Sequence, residues 1–184
     1  SQTEAWRRTT NKASRLAADD RFAGVLAVGH DGRARMSARW GDADRTRGTK
    51  HTSNTRFRIG SMYKMFTAVA ILQLAEQGRV DLDAPLARYL PDYPDTALAE
   101  RAKIRHLLTH TGGTGDIFTD AYQAQRNAVR EHADYIRLFG DRDAEFAPGS
   151  DEAYSNYGFV LLGAVIERVT GMSYHDAIRK QILL

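Results

Sequence analysis

A serine and a lysine stand three residues apart in "RIGSMYKMFTAVAILQLAEQG", at Ser61 and Lys64. On a helix that spacing makes them neighbours on one face. A serine hydroxyl is a useful nucleophile only when something takes its proton. A lysine can do so when an apolar wall lowers its pKa and leaves some neutral amine. Met62, Met65, Phe66, Val69, Ala70, Leu72, Leu74 and Ala75 predict such a wall, in a helix from Ser61 to Gln77 buried on most sides. The start of that helix also aims backbone N–H groups at negative charge on an attacking oxygen. The bland alternative is a capping serine and a lysine whose stem lies along the surface. Ser-x-x-Lys arises by chance roughly once in a chain of this size.

A second group sits in "AYSNYG", where Tyr154 and Asn156 flank Ser155 at a loop-to-helix junction. A phenol beside the first serine can relay a proton to a leaving group. The amide of Asn156 can offer its N–H donors to a substrate carbonyl. Alternatively, Tyr154 packs on the helix and Asn156 serves as its N-cap.

These residues need elements to carry them. Residues 1–20 space Ala5, Trp6, Ala13, Leu16 and Ala17 as one amphipathic helix. Asp31-Gly32 separates "FAGVLAV" (22–28) from "ARMSARW" (34–40), which predicts a hairpin. A charged, flexible loop is expected to about Thr55, then a short strand or extended stretch over 55–60. Gly78 is placed to end the Ser61 helix. "VDLDAPLARYLPDYP" holds three of the four prolines and reads as turns and short helical pieces. "KIRHLLTHTGG" reads as a short helix stopped by Gly112 and Gly113, and residues 119–140 are helical in pattern. Pro148-Gly149 marks a loop. "YGFVLLGAVIERVTG" predicts a second buried helix ending at Gly171, and Ser173 an N-cap for the last one.

Composition narrows the class. The 184 residues are 42% hydrophobic and 27% charged, ordinary values for a globular protein. The net charge of +3 comes from scattered, paired arginines rather than a basic stripe, which argues against nucleic-acid binding. No apolar run is long enough for a membrane span. The absence of cysteine excludes disulfides, thiolate metal sites and a cysteine nucleophile. The six histidines show no zinc-ligand spacing, so no metal or organic cofactor is expected. No signal peptide is recognisable, and "SQTEAWRR" reads as a processed or recombinant start.

"FRIGSMYKMFTAVAILQLAEQGRVDLDAPLARYLPD", "IRHLLTHTGG" and "FAPGSDEAYSNYGFVLLGAVIERVTGMSYHDAI" resemble, in that order, blocks of the serine β-lactamase and penicillin-binding-protein family. The branch most resembled holds class C β-lactamases, D-Ala-D-Ala carboxypeptidases and esterase relatives. The resemblance spans at least residues 22–184. It implies an α+β, β-lactamase/transpeptidase-like fold, with an antiparallel sheet beside a helical lobe. Residues 1–60 match its N-terminal helix and hairpin, and residues 61–184 its mainly helical part.

The resemblance also implies roles. Ser61 matches the acylated nucleophile, Lys64 its base partner, Tyr154 the proton-exchanging tyrosine and Asn156 the substrate-amide contact. His110 falls in a block taken as structural. The expected activity is hydrolysis of an amide, β-lactam or ester through a Ser61 acyl-enzyme, on a small-molecule or peptide substrate, in a periplasmic or secreted protein. Tyr63, where relatives often carry a small residue, could narrow the pocket or pack on the next helix. The family's third motif, Lys-Thr-Gly or His-x-Gly on a facing strand, has no match. The expectation is therefore a chain that lacks the C-terminal strands, with the missing segment or another chain completing the sheet. The alternatives are a binding module without turnover, or half of a two-chain enzyme.

Overall fold

The computed structural model describes residues 1–184, apart from the side chain of Gln2. It divides into two compact units, Ser1–Arg58 and Ile59–Leu184.

The first unit opens with α1 (Gln2–Ala18), whose first turn donates Glu4 N–H to the Ser1 hydroxyl. Strands β1 (Gly24–His30) and β2 (Arg33–Trp40) pair antiparallel from Gly24↔Trp40 to His30↔Arg33. Asp31 and Gly32 take φ of 51° and 68°. That pair of left-handed residues is the primed turn whose twist matches a hairpin. Trp40 fastens the hairpin to α1 by donating its Nε1–H to the Ser14 hydroxyl at 2.9 Å.

The stretch expected as a flexible loop instead contains a second small hairpin, β3 (Asp42–Asp44) and β4 (Thr49–Lys50). Lys50 reaches Asp42 across it at 2.6 Å, and Arg45 grips Asp20 with two bonds of 2.7 Å. Residues 55–59 form no strand.

The second unit is helical. A 3-10 turn (Gly60–Met62) leads into α2 (Tyr63–Glu76). A 3-10 turn at Leu86–Arg88, α3 (Thr96–Arg101) and α4 (Ile104–Leu108) follow. Then come α5 (Asp120–Gln125), α6 (His132–Phe139), α7 (Asn156–Thr170), α8 (Tyr174–Ile178) and a π-type turn, Arg179–Leu183.

Helix α7 is the axis of this unit. It packs against α2, α4, α6 and α8. Its Tyr157, Leu161, Leu162, Val165 and Ile166 are wholly buried with Ile71, Leu74, Ile104 and Leu107. Gly171, at φ 69°, stops it by donating its N–H to the Glu167 carbonyl.

Two expectations are corrected here. The helical pattern over 119–140 is two helices. Asp134 accepts the backbone N–H groups of Arg130 and Glu131 and so starts α6 afresh. Those bonds, with Arg137 beside them, hold the Asp134 carboxyl down at about 2. Secondly, α2 is not buried on most sides. Thr67, Ala70, Ile71 and Leu74 face the core, while Met62, Met65, Val69 and Leu72 lie along an exposed stripe. Within this unit α2 packs against α7, α8 and the Arg179–Leu183 turn.

Among the described residues no helix is long and apolar enough to cross a membrane.

The core assignment makes a paired prediction. Leu161→Ala should lower unfolding stability by about 2–5 kcal/mol, whereas Leu72→Ala should stay within about 0.5 kcal/mol. Urea unfolding of the two variants measures both. A large loss at Leu72 would show that its face is covered in solution.

Candidate active site

Gly60 takes φ 54°, a conformation that favours glycine, and turns the chain into the short helix bearing Ser61. Lys64 follows in the first turn of α2. Its Nζ lies 3.3 Å from the Ser61 Oγ and donates to the Asn156 Oδ1 at 2.6 Å. Tyr154, from the loop before α7, donates its OH to the same Ser61 Oγ at 2.8 Å. The structure thus brings all four residues singled out in the sequence into one cluster.

Lys64 is half-buried. Its ammonium lies 4.8 Å from the centre of the Tyr154 ring and 5.6 Å from that of Phe159. The lysine beside it, and then the bond to Ser61, hold the Tyr154 phenol below its ordinary range. The Ser61 backbone N–H makes no hydrogen bond among the described residues. Tyr63 leans on Phe66 and Tyr174, with ring centres 5.7 and 6.1 Å away.

Tyr154 and Asn156 are held from behind by the turn that follows α4. Ser155, rather than Asn156, is the N-cap of α7. Its buried hydroxyl accepts the Gly158 N–H at 2.9 Å and donates to the Gly115 carbonyl at 2.6 Å. Capping by Ser155 leaves the Asn156 side chain free to turn toward Lys64. Ser155 N–H in turn donates to the His110 Nδ1 at 3.1 Å. The His110 ring lies 4.5 Å from that of Tyr154. His110 therefore supports this loop directly, at a backbone φ of 60° that few non-glycine residues adopt.

Asp116 was not evident from the sequence. Its carboxylate accepts both N–H groups of Asn156, the backbone one at 2.9 Å and Nδ2–H at 3.1 Å. The only sequence signal is a lone acid closing the glycine-rich run "HTGGTGD". Arg142 fixes the run itself, donating to the carbonyls of Asp116 at 2.8 Å and Thr114 at 3.2 Å. Gly113 is required there, because a Cβ on it would overlap the Phe146 carbonyl.

The family model described as Beta-lactamase matches residues 10–184. The chain belongs to the beta-lactamase family. Penicillin-binding protein 4* of Bacillus subtilis is 31% identical over 166 residues, 89% of this chain and 36% of its own length. Esterase EstB of Burkholderia gladioli is 33% identical over 173 residues, 86% of this chain and 44% of its own. The crystal structure of a penicillin-binding protein from Bacillus halodurans superposes with TM-score 0.76 at 32% identity, over 91% of this chain and 52% of that one. The fold is accordingly the α+β, β-lactamase/transpeptidase-like one. The chain spans less than half the length of these two curated beta-lactamase relatives.

Burial, and then the charge of Lys64, hold the His110 pKa below its ordinary 6.5. Between those two pKa values the unfolded chain binds the proton that the folded chain refuses, so stability falls as pH drops through that window. His106, also lowered by burial, acts in the same direction. Thermal melts from about pH 7 to about pH 5 should show a loss of stability that becomes smaller in His110→Gln.

Proposed function

We propose that this chain carries the acylation machinery of a serine hydrolase acting on an amide, β-lactam or ester. The observation that carries the proposal is the double contact on the Ser61 Oγ, Tyr154 OH at 2.8 Å and Lys64 Nζ at 3.3 Å. A hydroxyl held between a phenol and an amine has a short route for its proton. The names of two relatives, a penicillin-binding protein and an esterase, support the substrate classes. The exported location expected from the resemblance belongs to the same proposal.

Of the two groups, Tyr154 is the better placed to accept the proton. It is nearer, and Lys64 favours its ionised form. In the reactive state the Tyr154 phenolate accepts the Ser61 proton while the Lys64 ammonium balances its charge. The Ser61 Oγ attacks the substrate carbonyl carbon, and the carbonyl electrons move onto oxygen. The Ser61 N–H, unpaired at the head of the helix, is one donor for that oxyanion. Tyr154 then delivers its proton to the leaving nitrogen or oxygen as the carbonyl–heteroatom bond breaks. Water, deprotonated by the same phenolate, attacks the ester carbonyl, and Tyr154 returns that proton to the Ser61 Oγ as the acyl–Oγ bond breaks and the acid leaves. Asn156 holds Lys64 in place throughout and borders the space where a substrate amide would lie.

The first test is mass spectrometry after exposure to a penicillin and to an activated ester. A covalent increment on Ser61, absent from Ser61→Ala, is expected. No increment with either reagent would make a pocket that binds without turnover the better reading.

The second test separates the roles of Lys64 and Tyr154. Lys64→Met should slow acylation by roughly 100-fold or more at neutral pH. It should also move the rising limb of the pH–rate profile to higher pH, because the phenol loses the charge that favours its ionisation. A slower variant whose profile has lost that limb altogether would assign the proton to Lys64 instead.

A further inference from the structure

Asn156 touches Lys64, yet nothing in Asn156 itself decides which end of its amide faces the lysine. The two ends have nearly the same shape and opposite hydrogen-bonding character. Facing Oδ1 to the ammonium holds the lysine. Facing NH2 to it would set donor against donor and push the amine away from Ser61.

We propose that Asp116 is the residue that sets this orientation, and that it acts on Ser61 chemistry through Asn156 and Lys64 as a positioning residue. The inference rests on the acylation reading above. Its geometric basis is a division of labour between the two carboxylate oxygens. Oδ1 accepts two backbone N–H groups, from Ile117 at 2.8 Å and Asn156 at 2.9 Å. Oδ2 accepts the Asn156 Nδ2–H at 3.1 Å. Oδ1 thus shapes the backbone, and Oδ2 alone orients the amide. A carboxylate has no hydrogen to give, so only the NH2 end of Asn156 can face it. The Oδ1 end is then left to Lys64, at 2.6 Å. Arg142 anchors the carbonyl of Asp116 at 2.8 Å, so the acid cannot easily follow a turned amide.

That division allows a selective test. Asp116→Asn can keep both backbone bonds on its remaining oxygen, while it replaces Oδ2 with an NH2 that opposes the Asn156 NH2. Asn156 should then turn over and release Lys64. The expected result in Asp116→Asn is an unchanged melting temperature and acylation by a penicillin slowed by roughly 10- to 100-fold. The reciprocal pair Asp116→Asn with Asn156→Asp restores a donor opposite an acceptor at both contacts. It should recover a large part of the lost rate.

The side-chain amide resonances of Asn156, assigned by their loss in Asn156→Ala, read the orientation without any turnover. In Asp116→Asn they should shift and lose protection from solvent exchange. Wild-type rate with an unmoved amide signal would overturn the proposal. So would a rate loss that tracks a lowered melting temperature and is not recovered by the reciprocal pair. Should the unsubstituted protein form no Ser61 adduct while the amide signal still responds to Asp116→Asn, the acylation reading fails and the orienting role of Asp116 stands.

Discussion

The cluster depends on a buried serine that does no chemistry. Ser155 caps α7, and the same hydroxyl ties that helix to the Gly115 carbonyl. Capping satisfies a donor that would otherwise be orphaned at the head of a buried helix. Tying fixes where that head lies. Tyr154 and Asn156 flank Ser155 in the chain, so their positions follow from it. A loop before a helix is ordinarily a mobile part of a fold. Here its backbone is held at Ser155 by His110 and at Asn156 by Asp116.

The electrostatics build on that frame. One cation, Lys64, sits among the hydroxyl of Ser61, the carbonyl end of Asn156 and the phenol of Tyr154. Half-burial against the rings of Tyr154 and Phe159 limits solvent screening of that charge. The lysine, and then the bond to Ser61, lower the phenol, while its slight burial works against them. Packing from α7 brings Phe159 to the lysine, and the turn after α4 brings His110 against Tyr154.

Some of this was legible in the sequence, for identifiable reasons. Asp31-Gly32 announces its hairpin because few residue pairs accept two left-handed conformations. Gly171 ends α7 for a similar steric reason. Ser61, Lys64, Tyr154 and Asn156 stood out because their chemistry is unusual at those positions and because whole blocks around them resemble one family. Asp116 was not legible. A single acid in a glycine-rich turn has no periodicity, and its partner lies forty positions away in the chain. The exposed stripe of α2 was equally hidden, because an all-round apolar helix reads alike whether its neighbours surround it or stand on one side. The break before α6 turns on one side chain, Asp134, whose capping bonds a hydrophobic pattern does not register.

The Lys64 amine has a consequence of its own. An ammonium carries three hydrogens. Two of them are spent, on the Asn156 Oδ1 at 2.6 Å and the Ser61 Oγ at 3.3 Å, and the third meets no hydrogen-bond acceptor among the described residues. A molecule entering the cleft therefore meets a positive charge with one hydrogen still to give. It can bond to the amine without evicting either resident oxygen, of which the Ser61 hydroxyl, at 3.3 Å, is the more loosely held.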